Sequence, residues 1–306
     1  MKLIKPAPVT EASLTSNVLE DDAPGWNPAK TNGYAVGDKV MDAHHVWQWQ
    51  GEAGKNTAVA PSADTALPAK WLDLGANRRW RMFDKKAGNT WRIGTATNNA
   101  ETIDVTLMPG QVVNSIALFG MEAATVQIIM TAPGGKEVYN ETFRQQRRGV
   151  NNWYEYYFTP IDRAETMVRT DLPAYGRATV RVVVSNPGGQ ARVGLLVLGR
   201  LITIGESIYG TRVGIQSYSR TDIDDFGNET LTPRGSRRTV DYDVRIPTED
   251  LSRVTRILDQ LRDTVCPYIG TEGMEATITV GRFENLGINI ANTAYCEATA
   301  EVRSLN

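Results

Sequence analysis

Residues 101–131 read ETIDVTLMPGQVVNSIALFGMEAATVQIIMT. Ile103, Val105 and Leu107 alternate with polar residues, the period of a half-buried strand. VNSIALFG (113–120) and ATVQIIMT (124–131) are apolar runs of strand length. Ala132-Pro133-Gly134-Gly135-Lys136 supplies a hairpin turn, because Pro and Gly provide the backbone angles a reversal needs, and EVYNETF (137–143) follows it. WYEYYFT (153–159), ATVRVVVS (178–185) and ARVGLLVLGRLITIG (191–205) continue as strands, with a further turn at Asn186-Pro187-Gly188-Gly189. No helical period is evident. Strands at this spacing predict a β-sandwich, jelly-roll-like, over 77–205.

Towards the C-terminus the pattern changes. TRVGIQSYSR (211–220) and SRRTVDYDVRI (236–246) read as strands. Leu251, Val254, Ile257, Leu258, Leu261 and Val265 then recur at helical spacing. Thr248 is the expected N-cap, Glu249 and Asp250 suit the positive end of the helix dipole, and Pro267 is the expected stop. TITVGRFE (277–284) and AYCEATAEV (294–302) return to strand. Residues 206–306 are therefore an expected α+β domain with one amphipathic helix.

Towards the N-terminus, residues 1–25 have little to make a core, with Pro6, Pro8 and Pro24 and the acidic run Glu20-Asp21-Asp22. They predict an extended arm, either free or ordered by a neighbouring subunit. Residues 26–76 hold Trp26, Tyr34, Trp47, Trp49 and Trp71, punctuated by Gly33, Gly37, Gly51, Gly54 and Gly75. YAVGDKV (34–40) and HHVWQWQ (44–50) read as two strands, and 51–68 as loop. So short a module has to draw its buried area from a few aromatic rings of roughly 150–250 Å² each. The whole is expected to be mainly β and multi-domain.

A chain of 306 residues is too long for one ordinary core. Its 41% hydrophobic and 22% charged residues are those of a globular protein, and no apolar run approaches the roughly 20 residues of a membrane span. A net charge of −2 argues against a nucleic-acid coat, although Arg-rich stretches occur at Arg78 to Arg81, Arg144 to Arg148 and Arg234 to Arg238. Those stretches suit subunit contacts. Cys266 and Cys296 do not make a disulfide framework, and burial as thiols is expected. His44 and His45, adjacent in an expected strand, point to opposite faces, which leaves a Ser-His-Asp triad without a base. No phosphate-binding glycine loop is present. The acidic run Asp222 to Glu229 departs from a calcium loop, since Phe226 and Pro233 occupy ligand places, and reads as a hairpin turn. These absences predict no catalytic residues, no metal site and no cofactor.

One stretch carries a resemblance. Trp26-Asn27-Pro28, Tyr34-x-x-Gly37-Asp38-x-Val40, Val46-Trp47, Pro61 or Pro68, and Trp71 resemble the chitin-binding modules of bacterial chitinases, which also occur as small sugar-binding-like domains in phage tail proteins. Trp80-Arg81-Met82-Phe83-Asp84 and GESIYGTRVGIQSYSRTDIDDFGNETL (205–231) are similar to segments of a family of phage tail proteins. The resemblance implies a virion component of the tail tip or baseplate, made in the bacterial cytoplasm, whose partners are other tail proteins and further copies of itself. It implies no catalysis.

In sugar-binding modules exposed rings stack on pyranose faces. Alternation in HHVWQWQ puts Trp47 and Trp49 on one face beside His45, so Trp47, Trp49 and Trp26 are the candidate carbohydrate platform. Tyr34 and Trp71, with Gly37 and Asp38, are the expected module core. The alternative, in which all five aromatics form core or subunit interface, stays open. So do three functional readings. The first is a structural tail subunit in a symmetric oligomer, with host-surface polysaccharide as a candidate contact. The second is a free-standing carbohydrate-binding protein, and the third a polysaccharide-degrading tail enzyme with paired carboxylates.

Overall fold

The period-two runs fold as strands. The structure is a computed structural model and describes every residue except 66, 88, 89, 92–94, 147–151, 159–162, 225, 291 and 306. The fold is mainly β, and the chain divides into two units, one of Pro8–Leu196 and one of Met1–Ala7 with Val197–Asn306.

In the first unit, five antiparallel strands lie in the order Glu137–Arg144, Thr125–Thr131, Thr179–Val193, Thr97–Leu107, Leu14–Ser16. Ile103, Val105 and Leu107, then Val126, Ile128 and Met130, then Val180, Val182 and Val184 are all buried, while the residues between them are less so. Each such side chain contributes about 1.5–3 kcal/mol of transfer free energy, which fixes the register. A strand at Ser115–Phe119, buried along its whole length, pairs with Met167–Arg169. The aromatic module is a three-stranded sheet of Lys39–Asp42, His45–Trp49 and Trp71–Ala76.

In the second unit one antiparallel sheet runs through residues 197–203 of the strand Leu195–Thr203, then Lys2–Pro6, Cys266–Ile269, Ile278–Asn289, Tyr295–Ser304, Ser236–Pro247 and Glu206–Ser207, and Arg212–Ser217 also pairs with Ser236–Pro247. The helix Leu251–Leu261 buries Val254, Leu258 and Leu261 in a core shared with Val240, Tyr242, Val244, Tyr268 and Val302. Cys266 and Cys296 are buried, and neither is in a disulfide.

Several expectations are corrected. The N-terminal segment is extended, but its partner is its own chain: Lys2–Pro6 fills a central place in the second unit's sheet and Leu14–Ser16 an edge of the first. Backbone pairing over few residues needs no local apolar pattern, so composition hid it. YAVGDKV turns until Asp38, and the strand starts only at Lys39. Residues 153–158 of the expected strand WYEYYFT form a short helix, Trp153–Phe158, and Thr159 lies outside the described residues. Rings four residues apart meet there, Trp153 on Tyr157 at 6.4 Å and Tyr154 on Phe158 at 4.8 Å, an aromatic pairing that helical spacing provides. Asn186-Pro187-Gly188-Gly189 does not reverse the chain. It is a bulge in the strand Thr179–Val193, which pairs with Thr97–Leu107 on both sides of it. Thr248 does not cap the helix. It opens a 3-10 turn, Thr248–Asp250, and its hydroxyl lies 3.7 Å from the Cys296 thiol. The helix ends at Leu261, so Val265 lies beyond it and Pro267 sits in the strand Cys266–Ile269 instead of acting as the stop.

Candidate functional site

The module's geometry begins at a turn. Gly37 adopts φ +95°, a region open to glycine, and its amide donates to the Trp49 carbonyl at 2.9 Å. Asp38 Oδ2 accepts from Lys30 Nζ at 2.5 Å and from the Ala35 amide at 3.0 Å. The Lys30 hydrogen bond, then that amide, hold its carboxyl below the usual range. The Asp38 carbonyl accepts from the Trp49 amide at 2.8 Å, so the Tyr-x-x-Gly-Asp segment frames Trp49.

Tyr34, Val40, Trp49 and Trp71 form the module's buried core, with Trp26 and Trp47 half-buried against it. Tyr34 meets Trp49 at 5.9 Å and Trp71 at 5.1 Å, and Trp49 meets Trp71 at 4.8 Å. The Tyr34 hydroxyl donates to the Asn27 carbonyl at 2.8 Å and accepts from the Asn27 amide at 2.9 Å. This corrects the expected platform. Trp49 is 1% exposed, and its indole nitrogen donates to the Glu52 carbonyl at 3.0 Å. A sugar cannot reach its face. The face that alternation assigned to Trp47 and Trp49 is the one that closes over Tyr34 and Trp71, since a domain this small needs its rings inside.

What remains open beside the core is Trp47 with His45 and Asp73. The Trp47 nitrogen donates to the Asp42 carbonyl at 3.1 Å, and its ring lies 6.2 Å from that of His45. His45 Nδ1 is 3.0 Å from Asp73 Oδ1, which also accepts from the Gly75 amide at 2.8 Å. The Asp73 hydrogen bond raises the pKa of His45 despite burial. Burial opposes ionisation of Asp73, but bonds from His45 and Gly75 hold its pKa below the usual value. A half-open indole with an ion pair at its rim can stack against one apolar ring and hydrogen-bond its hydroxyls. Trp26, the third expected platform ring, packs on the core, and its indole nitrogen is buried with no partner among the described residues.

His44 turns the other way. Its ring lies 4.4 Å from that of Trp80, and Glu20 gathers His44, Asn77, Arg79 and Trp80 around one carboxylate. Neither Asp73 nor Glu20 carried a sequence signal, because their partners are distant in the chain. Asp224 accepts from the Phe226 and Asn228 amides and from the Asn228 side chain, so its oxygens organise the 224–228 turn. Asp225 lies outside the described residues. Among the described residues no three His, Cys, Asp or Glu side chains gather as metal ligands, and no helix is long and apolar enough to cross a membrane.

No family model matches the chain, and no curated protein does. Among solved structures, a histidine mutant of the lectin binding domain of lectinolysin, complexed with Lewis b, is 12% identical at a TM-score of 0.27, covering 40% of this chain and 82% of that one. Chitosan-binding module 1 of a chitosanase/glucanase from Paenibacillus sp. IK-5 is 16% identical at a TM-score of 0.25, covering 39% and 83%. At such scores these likenesses carry no argument about this chain.

Proposed function

We propose that this chain is a non-enzymatic structural subunit of a tailed-phage tail tip or baseplate, assembling with copies of itself in a symmetric oligomer and contacting host-surface glycans. The observation that carries the assembly is a ribbon in the second unit. Arg212–Ser217 pairs with Ser236–Pro247, and the hairpin Arg220–Ile223 with Glu229–Thr232 is exposed along both strands. Val213, Ile215, Ile223, Phe226 and Leu231 all face solvent there. A two-stranded hairpin is marginal alone in water, and exposed apolar edge strands are templates for pairing. A neighbouring subunit would cover both. The 205–231 segment that forms this ribbon is also the one similar to phage tail proteins. The half-open Trp47, His45 and Asp73 face supports the glycan contact.

The test is near-atomic cryo-electron microscopy of virions of the phage that encodes the chain. A ring of copies in the tail, with 212–232 buried between neighbours, is the expected result. Absence from the particle would overturn the reading. Native mass measurement of the purified chain adds a second reading: Ile215→Asp with Leu231→Asp should lower the subunit number.

A further inference from the structure

In the first unit, three loops enclose a cleft of about 690 Å³ that no aromatic ring lines. Its walls are Gly120 to Glu122, Arg163 with Glu165, and the bulge from Asn186 to Gly189 with Arg192. The volume falls in the range of small-ligand sites.

The loops are fixed to one another by backbone bonds. Glu122 and Arg192 exchange two, at 3.0 and 3.1 Å, and the Met121 amide donates to the Glu165 carbonyl at 3.0 Å. Asn186 is 5% exposed and its amide is committed on both sides. Its Oδ1 accepts from Arg163 Nη1 at 2.5 Å, and its Nδ2 donates to the Gln190 carbonyl at 2.9 Å. A buried side chain thus aims the Arg163 guanidinium, the arrangement that makes a polar site preorganised. Gly189 leaves room for that amide, since a Cβ there would come within 3.0 Å of Asn186 Nδ2.

The chemistry of the walls selects a ligand. Two guanidinium groups supply donors and two carboxylates supply acceptors, and their formal charges cancel. Among the described residues, the side chains of Glu122, Glu165 and Arg192 form no ion pair. All three side chains line the cleft and are exposed to solvent. A phosphate or an acidic sugar would meet the two carboxylates, and an apolar ligand would desolvate four charged groups without pairing them. Vicinal hydroxyls, each both donor and acceptor, match all four.

We propose that this cleft binds a neutral saccharide, with Arg163 and Arg192 donating to its hydroxyls and Glu122 and Glu165 accepting from them. The proposal rests on the glycan contact in the reading above and moves its principal site from the aromatic module to the bulged end of the sheet.

The test uses the full chain and saturation-transfer NMR, with N,N′-diacetylchitobiose, lactose and maltose as neutral probes and galacturonate as the acidic one. Transfer to a neutral probe is expected. Binding should weaken about tenfold in each of Arg192→Ala and Glu122→Gln, the loss of one charge-assisted hydrogen bond, and by less in Trp47→Ala. Both cleft residues are exposed, so their truncation leaves the core intact, and Glu165→Gln gives an independent third reading. Loss in Trp47→Ala with retention in the cleft variants would overturn the cleft and leave the glycan contact standing. Transfer to galacturonate alone would overturn the neutral class. No transfer to any probe would overturn the cleft and the glycan contact together, leaving the structural assignment to the virion images.

Discussion

The Tyr34 ring meets the Trp71 indole edge to face, with centroids 5.1 Å apart and planes at 76°. Trp49 completes the triangle, and among the described residues these three rings are the largest side chains in the module's buried core. Trp49→Ala or Trp71→Ala should therefore cost about 3–5 kcal/mol of module stability. Trp47→Ala, which removes a half-buried ring, should cost less than half as much. Urea titration followed by the fluorescence of the remaining tryptophans reads the difference. Equal losses would mean that Trp47 is as much core as Trp49.

The His45 and Asp73 pair gives the module a pH signature. Folding raises the His45 pKa, so its contribution is full below the unfolded value of about 6.5 and fades as pH rises through the folded one. Folding lowers the Asp73 pKa, so its contribution is full above about 3.9 and fades as pH falls through its folded value. The pair should stabilise most between those limits. Asp73→Asn should depress the melting temperature more at pH 5.5 than at pH 8.5. An equal depression at both would remove the ion pair from the account.

Lys2–Pro6 enters its sheet beside a glycine that permits close approach. A Cβ on Gly199 would lie 2.1 Å from the Lys5 carbonyl oxygen. Gly199→Ala should force the strands apart and cost about 1–3 kcal/mol. Gly287, in the strand Ile278–Asn289, has open space around its Cβ position, so Gly287→Ala is the neutral control. Hydrogen exchange at Leu3 to Lys5 should accelerate in the first variant alone.

The sheets were legible because their strands alternate. Ile103 to Leu107 and Val126 to Met130 state which face is buried with no reference to the rest of the chain. The helix at Leu251–Leu261 was legible from its period, but its limits were not. Tertiary pairing drew Pro267 into a strand and Thr248 towards Cys296. Lys2–Pro6 was hidden because its order comes from strands some two hundred residues away. In the module, alternation identified which residues share a face but not whether that face is open, so Trp49 looked like a platform. The cleft was hidden for another reason. Glu122, Arg163, Glu165 and Arg192 are unremarkable surface residues until three loops bring them together, and the one local sign, Asn186-Pro187-Gly188-Gly189, reads as a turn.

Glu20 holds four partners, His44, Asn77, Arg79 and Trp80, around one carboxylate. Its Oε2 accepts from the Asn77 side chain at 2.7 Å, and its Oε1 accepts from Arg79 and from the Trp80 indole, both at 3.1 Å. Asn77 is fully buried, so removing the carboxylate strands an amide that water cannot reach. Glu20→Ala should cost about 2–3 kcal/mol, the range for a charge-assisted bond with an orphaned buried partner. Burial works against ionisation of Glu20, but hydrogen bonds from His44, Asn77 and Trp80 outweigh it and lower the folded pKa. Its contribution is accordingly full above the unfolded value of about 4.3 and disappears as pH falls through the folded one. Wild type should lose stability in that acid range more steeply than Glu20→Gln, which keeps the shape and has no proton to gain. Thermal unfolding of both proteins from pH 3 to pH 7 decides it. Parallel curves would show that the four donors hold Glu20 by geometry alone, with no gain from its charge.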